Sequence, residues 1–181
     1  MSISSMHERV GLRATTLYQR VLYILGGGAT RRFHTFTTIK DVTVGHHSYT
    51  VAWLCYLLTE KPSLNLIMAA LAHDTAEQVT GDVPSPTKRL LGAQGQYMEL
   101  ESKLLHDNMA NFVLTHDEEN VLQLADKMAG MLECAHERNM GNKYVELCYQ
   151  RWKGYIDNQT LADHELIIYA VVQQIWKEAI S

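Results

Sequence analysis

The chain has 181 residues, 46% of them hydrophobic and 20% charged, a globular balance that excludes disorder and suits one hydrophobic core better than two. Sixteen Lys and Arg against twenty Asp and Glu give a formal charge of −4, which disfavours broad binding to a nucleic acid polymer. The apolar runs are too short to span a bilayer, and residues 1–9 hold no apolar core behind a positive start, so the expectation is a cytoplasmic protein with no membrane segment. Cys55, Cys134 and Cys148 are odd in number, widely spaced and without a CxxC pair; they read as free, buried thiols in a reducing compartment.

Helical periodicity dominates the chain. A first amphipathic helix is predicted over 15–25, ended by Gly26-Gly27-Gly28, which reads as a terminator because no strand precedes it and no GK[ST] follows. A brief alternation of Val, Ile and Thr lies at Thr35–Val44. A second helix over 46–58 places His47, Val51, Leu54, Cys55 and Leu58 on one stripe. Pro62 suits the first turn of a third helix, which carries Leu66, Ile67, Ala70 and Leu71 toward His73-Asp74, and residues 80–86 form a turn-rich loop. Further helices are expected over 96–115, 118–139, 143–156 and 161–180, two of them opened by capping boxes at Thr115…Glu118 and Thr160…Asp163. The last helix, with Leu166-Ile167-Ile168-Tyr169-Ala170-Val171-Val172, has more apolar residues than one face needs; it is either central in the core or part of a subunit contact. With no repeat and no linker, residues 1–181 read as one all-α domain, a single helical bundle.

Three of these segments carry polar side chains where the period predicts burial. His47 is in phase with the apolar stripe of its helix, His73 and Asp74 end an apolar run, and Asp126 shares a face with Leu122 and Ala129. Two buried carboxylates need compensation, which a divalent cation provides by pairing with both while neutral imidazoles complete the shell. A mixed His and carboxylate set suits Zn, Mn, Fe or Co better than Ca.

These residues resemble the HD-domain metal-dependent phosphohydrolases, most closely the bacterial 5′-deoxynucleotidases and the short phage dATP triphosphohydrolases. The resemblance runs through Arg32-Phe33, Val44-Gly45-His46-His47-Ser48, His73-Asp74-Thr75-Ala76-Glu77, then Thr80 to Lys88, and ends at Leu124-Ala125-Asp126. The unbroken HDxxExxxGDxPxPxK is its specific part. It implies that His47, His73, Asp74 and Asp126 hold one catalytic metal (Zn, Co or Mn), with Mg an optional companion of the substrate phosphates. Glu77 is implied as the acid/base residue. Asp82 either orients water or accepts from the ribose 3′-hydroxyl, its bland alternative being an Asx turn that caps its own loop.

The same resemblance assigns Arg32 and Lys88 to the phosphate, with Arg31, Lys40 and Arg89 as nearby substitutes, and Phe33 to the sugar at a position where relatives carry an aromatic. His34 is a candidate pocket residue, and His46 stands where relatives commonly have Glu and is expected to be exposed. The implied reaction is attack of activated water on the α-phosphorus of a small 2′-deoxynucleotide. Chain compactness favours dATP or another purine triphosphate, giving deoxynucleoside and triphosphate. The alternatives are a 5′-deoxynucleotidase acting on monophosphates and a non-catalytic metal- or nucleotide-binding helical module. A homo-oligomer is expected.

Overall fold

The computed structural model describes residues 16–33, 35–109 and 111–181. The first helix, α1 (Leu17–Ala29), opens on a capping box in which the Thr16 hydroxyl accepts from the Gln19 amide and the Gln19 side chain accepts from the Thr16 amide at 2.9 Å. It does not stop at the glycine triplet; it runs through it to Ala29. The glycines are the contact surface of this helix. A Cβ on Gly27 would meet Thr75 Cγ2 at 2.4 Å, and one on Gly45 would meet the Gly28 carbonyl oxygen at 2.9 Å. Close approach of two backbones, not termination, is what these residues supply.

Gly45 sits in the first turn of α2 (Val44–Leu58), which Thr43 caps and which is tied to the end of α1 by the Val44 amide donating to Thr30. Ser63 caps α3 (Leu64–Ala72), whose apolar face ends at His73. The chain then turns through residues 73–76, makes the single-turn helix α4 (Glu77–Thr80), and continues into α5 (Ser85–Leu90). Part of the expected loop is thus helical, with Pro86 in a first turn where a missing N–H costs nothing. Helix α6 (Gln94–Asn108) ends earlier than periodicity suggested. The long α7 (His116–Asn139) opens with the expected Thr115 and Glu118 box. A 3₁₀ turn (Lys143–Val145) leads into α8 (Glu146–Ile156), and α9 (Asp163–Ile180) completes the fold. At α9 the cap is Ala162, whose amide donates to Glu165 at 2.7 Å, and not the Thr160 box. Among the described residues there is no strand; the alternation before α2 makes only an isolated bridge between Arg31 and Thr43.

Helix α7 is the axis of the bundle, with α2, α8 and α9 packed around it and α3 behind α2. Val51, Cys55, Leu66, Ala125, Met128 and Met131 are fully enclosed between them. Each large apolar side chain so buried contributes roughly 1.5–3 kcal/mol. Tyr149 of α8 and Trp176 of α9 stack at 3.8 Å and close that side. All three cysteines are free and buried. Helix α9 is not central: Tyr169, Val172 and Trp176 point inward, while Leu166, Ile167, Val171 and Ile175 are exposed. The outer faces of α1 (Tyr18, Leu25) and α2 (Tyr49, Trp53, Tyr56) are similarly apolar. No helix of the described residues is long and apolar enough to cross a membrane.

Candidate active site

The bundle converts distant sequence positions into neighbours. His47 lies one turn into α2, His73 and Asp74 at the exit of α3, and Asp126 in the first half of α7. One donor atom from each falls within 4.8 Å of all the others. His47 Nε2 is 2.9 Å from Asp126 Oδ1 and 3.8 Å from Asp74 Oδ2, and His73 Nε2 is 3.3 Å from Asp74 Oδ2. The His73 ring is oriented by its Nδ1, which bonds the Ala70 carbonyl at 2.8 Å. Its buried Nε2 is thereby aimed at the cluster with no hydrogen-bond partner of its own. Two imidazoles, one of them with an orphaned buried nitrogen, and two carboxylates form a donor set compatible with a divalent transition metal.

The surroundings hold these groups in a defined charge state. Burial pushes the Asp74 carboxyl up, but His73, Arg32 and His47 outweigh it and keep it well below the usual carboxylate range. Burial is likewise overcome at Asp126, chiefly by His47 and Lys127. Burial and Arg32 push His47 down, yet Glu133 and Asp126 prevail and raise it to about 9. The geometry explains this, since Nδ1 of the ring is 2.9 Å from Glu133 and Nε2 is 2.9 Å from Asp126. Carboxylates only accept, so both ring nitrogens carry protons there. A cation among the same oxygens competes with the Nε2 proton, while the bond to Glu133 fixes Nδ1–H and leaves Nε2 facing inward.

Arg32 is buried and donates to Asp74 Oδ2 at 2.5 Å, with Nε 3.9 Å from Glu133. Phe33 adopts a left-handed backbone, φ 56°, unusual for a bulky residue. Three bonds hold it. The Phe33 amide donates to Asp82 Oδ2 at 2.9 Å, the Arg32 amide to Val42, and the Phe36 amide back to Phe33, both at 2.8 Å. Asp82 therefore does not merely cap its own loop; it reaches across to the loop that carries Arg32 and Phe33. Lys88 bonds Glu101 at 2.7 Å and lies over the Tyr97 ring. Glu77 is buried, one of its oxygens has no partner, and burial together with Asp74 and Asp82 pushes its carboxyl up to about 9 against the pull of Arg32. Arg32, Phe33, Asp82, Lys88, Glu77 and Asp126 all line one open cleft of about 200 Å³.

Several contributors escaped the sequence reading. Glu133 and Glu137 follow Asp126 along one rail of α7. Glu133 holds His47, and Glu137 accepts from the Ile39 and Lys40 amides and from Asn142, pinning the loop behind Phe33. Their signal was present: a Glu seven residues after Asp126, inside the otherwise apolar stretch from Met131 to Ala135. Lys127, Arg151 and Trp152 also line the cleft. Conversely, Arg31 pairs with Asp41 at the surface, and Lys40 and Arg89 are exposed and outside the cleft, as is His46. His34 lies outside the described residues.

Residues 29–175 match the family described as 5′-deoxynucleotidase YfbR-like. The chain belongs to that family. Its relatives include a 5′-deoxynucleotidase of Vibrio cholerae, 24% identical over an alignment of 138 positions that covers 62% of this chain and 71% of the relative. The 5′-deoxynucleotidase YfbR of Salmonella typhi is 23% identical over an alignment of 145 positions that covers 66% of this chain and 73% of the relative. Among solved structures, the cyanophage S-2L HD phosphohydrolase DatZ, bound to dA and one catalytic Zn²⁺, aligns with a TM-score of 0.60 at 19% identity, covering 92% of this chain and 99% of that one. An HD-domain phosphohydrolase of Listeria innocua aligns at 0.65 and 17%, covering 91% and 92%. These two share the fold. As a member of the YfbR-like family the protein is an HD-domain phosphohydrolase, an all-α enzyme whose His and Asp cluster is compatible with a divalent metal.

Proposed function

We propose that the enzyme is a metal-dependent 5′-deoxynucleotidase that releases phosphate from 2′-deoxynucleoside 5′-monophosphates, with His47, His73, Asp74 and Asp126 holding the metal. The convergence of their four donor atoms within 4.8 Å supports this assignment. A divalent cation at that centre supplies Lewis-acid polarisation of the phosphoryl group and makes water a competent nucleophile near neutral pH. The chain's own residues do the rest. Glu77, protonated at neutral pH by its burial, donates its proton to the nucleoside 5′-oxygen as the P–O bond breaks. Arg32 balances the charge of Asp74 and of the transferring group, and Lys88 and Arg151 approach the phosphate from the open side. Phe33, fixed by Asp82, presents its ring to the sugar.

The preference for dATP that chain compactness suggested yields to the monophosphate on two grounds. The family and the curated relatives are 5′-deoxynucleotidases. The charge of the cleft supports the same reading: with Glu77 protonated, Asp74, Asp82, Glu101 and Asp126 are balanced by Arg32, Lys88, Lys127 and Arg151. A divalent metal would add two positive charges, as many as a monophosphate dianion carries negative ones. Incubating the protein with dAMP, dATP and AMP under Zn, Co or Mn and separating the products is the test. Deoxyadenosine and phosphate from dAMP are expected; triphosphate released from dATP faster than phosphate from dAMP overturns the assignment.

The reading extends to the setting. Residues 1–181 act as one domain, in the cytoplasm, on a small molecule and not on a nucleic acid polymer. The exposed apolar faces of α1, α2 and α9 support a homo-oligomer, which sedimentation would resolve.

A further inference from the structure

The residues so far assigned account for the phosphate and the sugar of a nucleotide and leave its base without a partner. The cleft carries two more aromatic side chains, Phe36 and Trp152 of α8, both half-buried, and Trp152 is the larger. Its six-membered ring lies flat on α7 at Gly130. A Cβ built there would stand 2.9 Å from each of three atoms of that ring, which puts it over the ring face and not against an edge. Gly130 thus makes a socket that any side chain would fill. From the other direction the Phe33 ring meets Trp152 edge-to-face, with centroids 5.9 Å apart and planes at 76°. Trp152 is therefore fixed in place, packed against the core and also part of the cleft wall.

The order of groups along the cleft is the informative part. Arg32 contacts Asp74 at the metal centre, Phe33 follows Arg32 in the chain, and the Trp152 ring adjoins that of Phe33 at 5.9 Å. A nucleotide has the same order: phosphate, sugar, base. With its phosphorus at the cluster and its sugar at Phe33, its base arrives at the indole. A seated tryptophan offers any base a π surface at little entropic cost.

We infer that Trp152, seated on Gly130, is the base-binding platform of this enzyme and the residue that makes it prefer a nucleotide over a bare sugar phosphate. The inference rests on the monophosphatase reading above and is tested so that the two fail separately. Steady-state kinetics of the metal-loaded wild type, Trp152→Ala and Trp152→Phe are compared on dAMP and on 2-deoxyribose 5-phosphate, which lacks the base. Trp152→Ala is expected to raise KM for dAMP by about tenfold or more, to leave kcat within about twofold, and to leave the sugar phosphate unaffected, with Trp152→Phe recovering most of the loss. Equal effects on both substrates, or none on dAMP, overturn the inference while leaving the reaction class intact. A wild type inactive on dAMP overturns the parent reading instead. Should Trp152→Ala not fold, a Trp53→Phe, Trp176→Phe double variant retains Trp152 as its one tryptophan. Quenching of that fluorescence by deoxyadenosine but not by 2-deoxyribose is expected, and unchanged emission in both overturns the inference.

Discussion

The two ends of the cleft are built differently. At the inner end the charged groups are shared: His47 is gripped by Glu133 and Asp126, and Arg32 spans Asp74 and Glu133, all on helices or directly beside them. At the outer end the groups come from short elements and stand in single pairs or alone. Lys88 on the six-residue α5 holds only Glu101, and Arg151 makes no ion pair among the described residues. The inner end is organised as a site for a small high-charge ion must be, whereas the outer end has few contacts to hold its charges in place. Damage at the inner end should therefore be read in metal and turnover, and damage at the outer end in KM.

The largest effect is expected at the boundary. Glu77→Gln should lower turnover by about 10²–10⁴-fold with bound metal unchanged on elemental analysis. Loss of metal along with activity would move Glu77 to the inner set. The same variant carries a pH signature. The folded Glu77 carboxyl is raised to about 9 from 4.5, so its contribution to stability is fully present below pH 4.5 and is lost as pH rises through 9. In metal-free urea titrations from pH 5 to 9 the wild type should lose stability relative to Glu77→Gln; parallel curves would contradict that ionisation.

A smaller effect is expected from Glu133→Gln, which keeps an acceptor for His47 Nδ1–H but removes the charge. Metal affinity measured by chelator competition should fall by about 10–100-fold. An unchanged affinity would mean that His47 is aligned by packing alone, and the contrast between the two ends would weaken. Smallest of all, Lys88→Ala should raise KM for dAMP by a few fold and leave metal affinity untouched, because its ammonium is already shared with Glu101. A collapse of kcat would place Lys88 at the reacting phosphorus.

The same contrast explains what could be read without coordinates. The helical bundle and its long elements followed from apolar period, and the four residues that converge were visible because each is polar on an apolar face or belongs to an unbroken motif. Glu133 and Glu137 were missed although they obey the same rule, because their α7 segment also carries Arg138 and His136 and reads as an ordinary polar helix end. Asp82 was assigned to water or the ribose hydroxyl, and its hold on Phe33 went unseen, since a hydrogen bond to an amide 49 positions away leaves no local trace. The glycine triplet was misread for a related reason. Composition shows that glycine weakens a helix, but only the neighbouring Thr75 and Gly45 show why the helix carries it.

That seam has a bearing on how the molecule holds together. Three glycines in succession cost α1 roughly 1 kcal/mol each relative to alanine, so this helix has little persistence as an isolated segment. Its stability comes from packing against Gly45 and the turn at Thr75, where the missing side chains let the backbones meet. Thr75 immediately follows Asp74, so the groove that receives α1 adjoins the metal-facing carboxylate, and a side chain added at Gly27 would press on the segment that carries it.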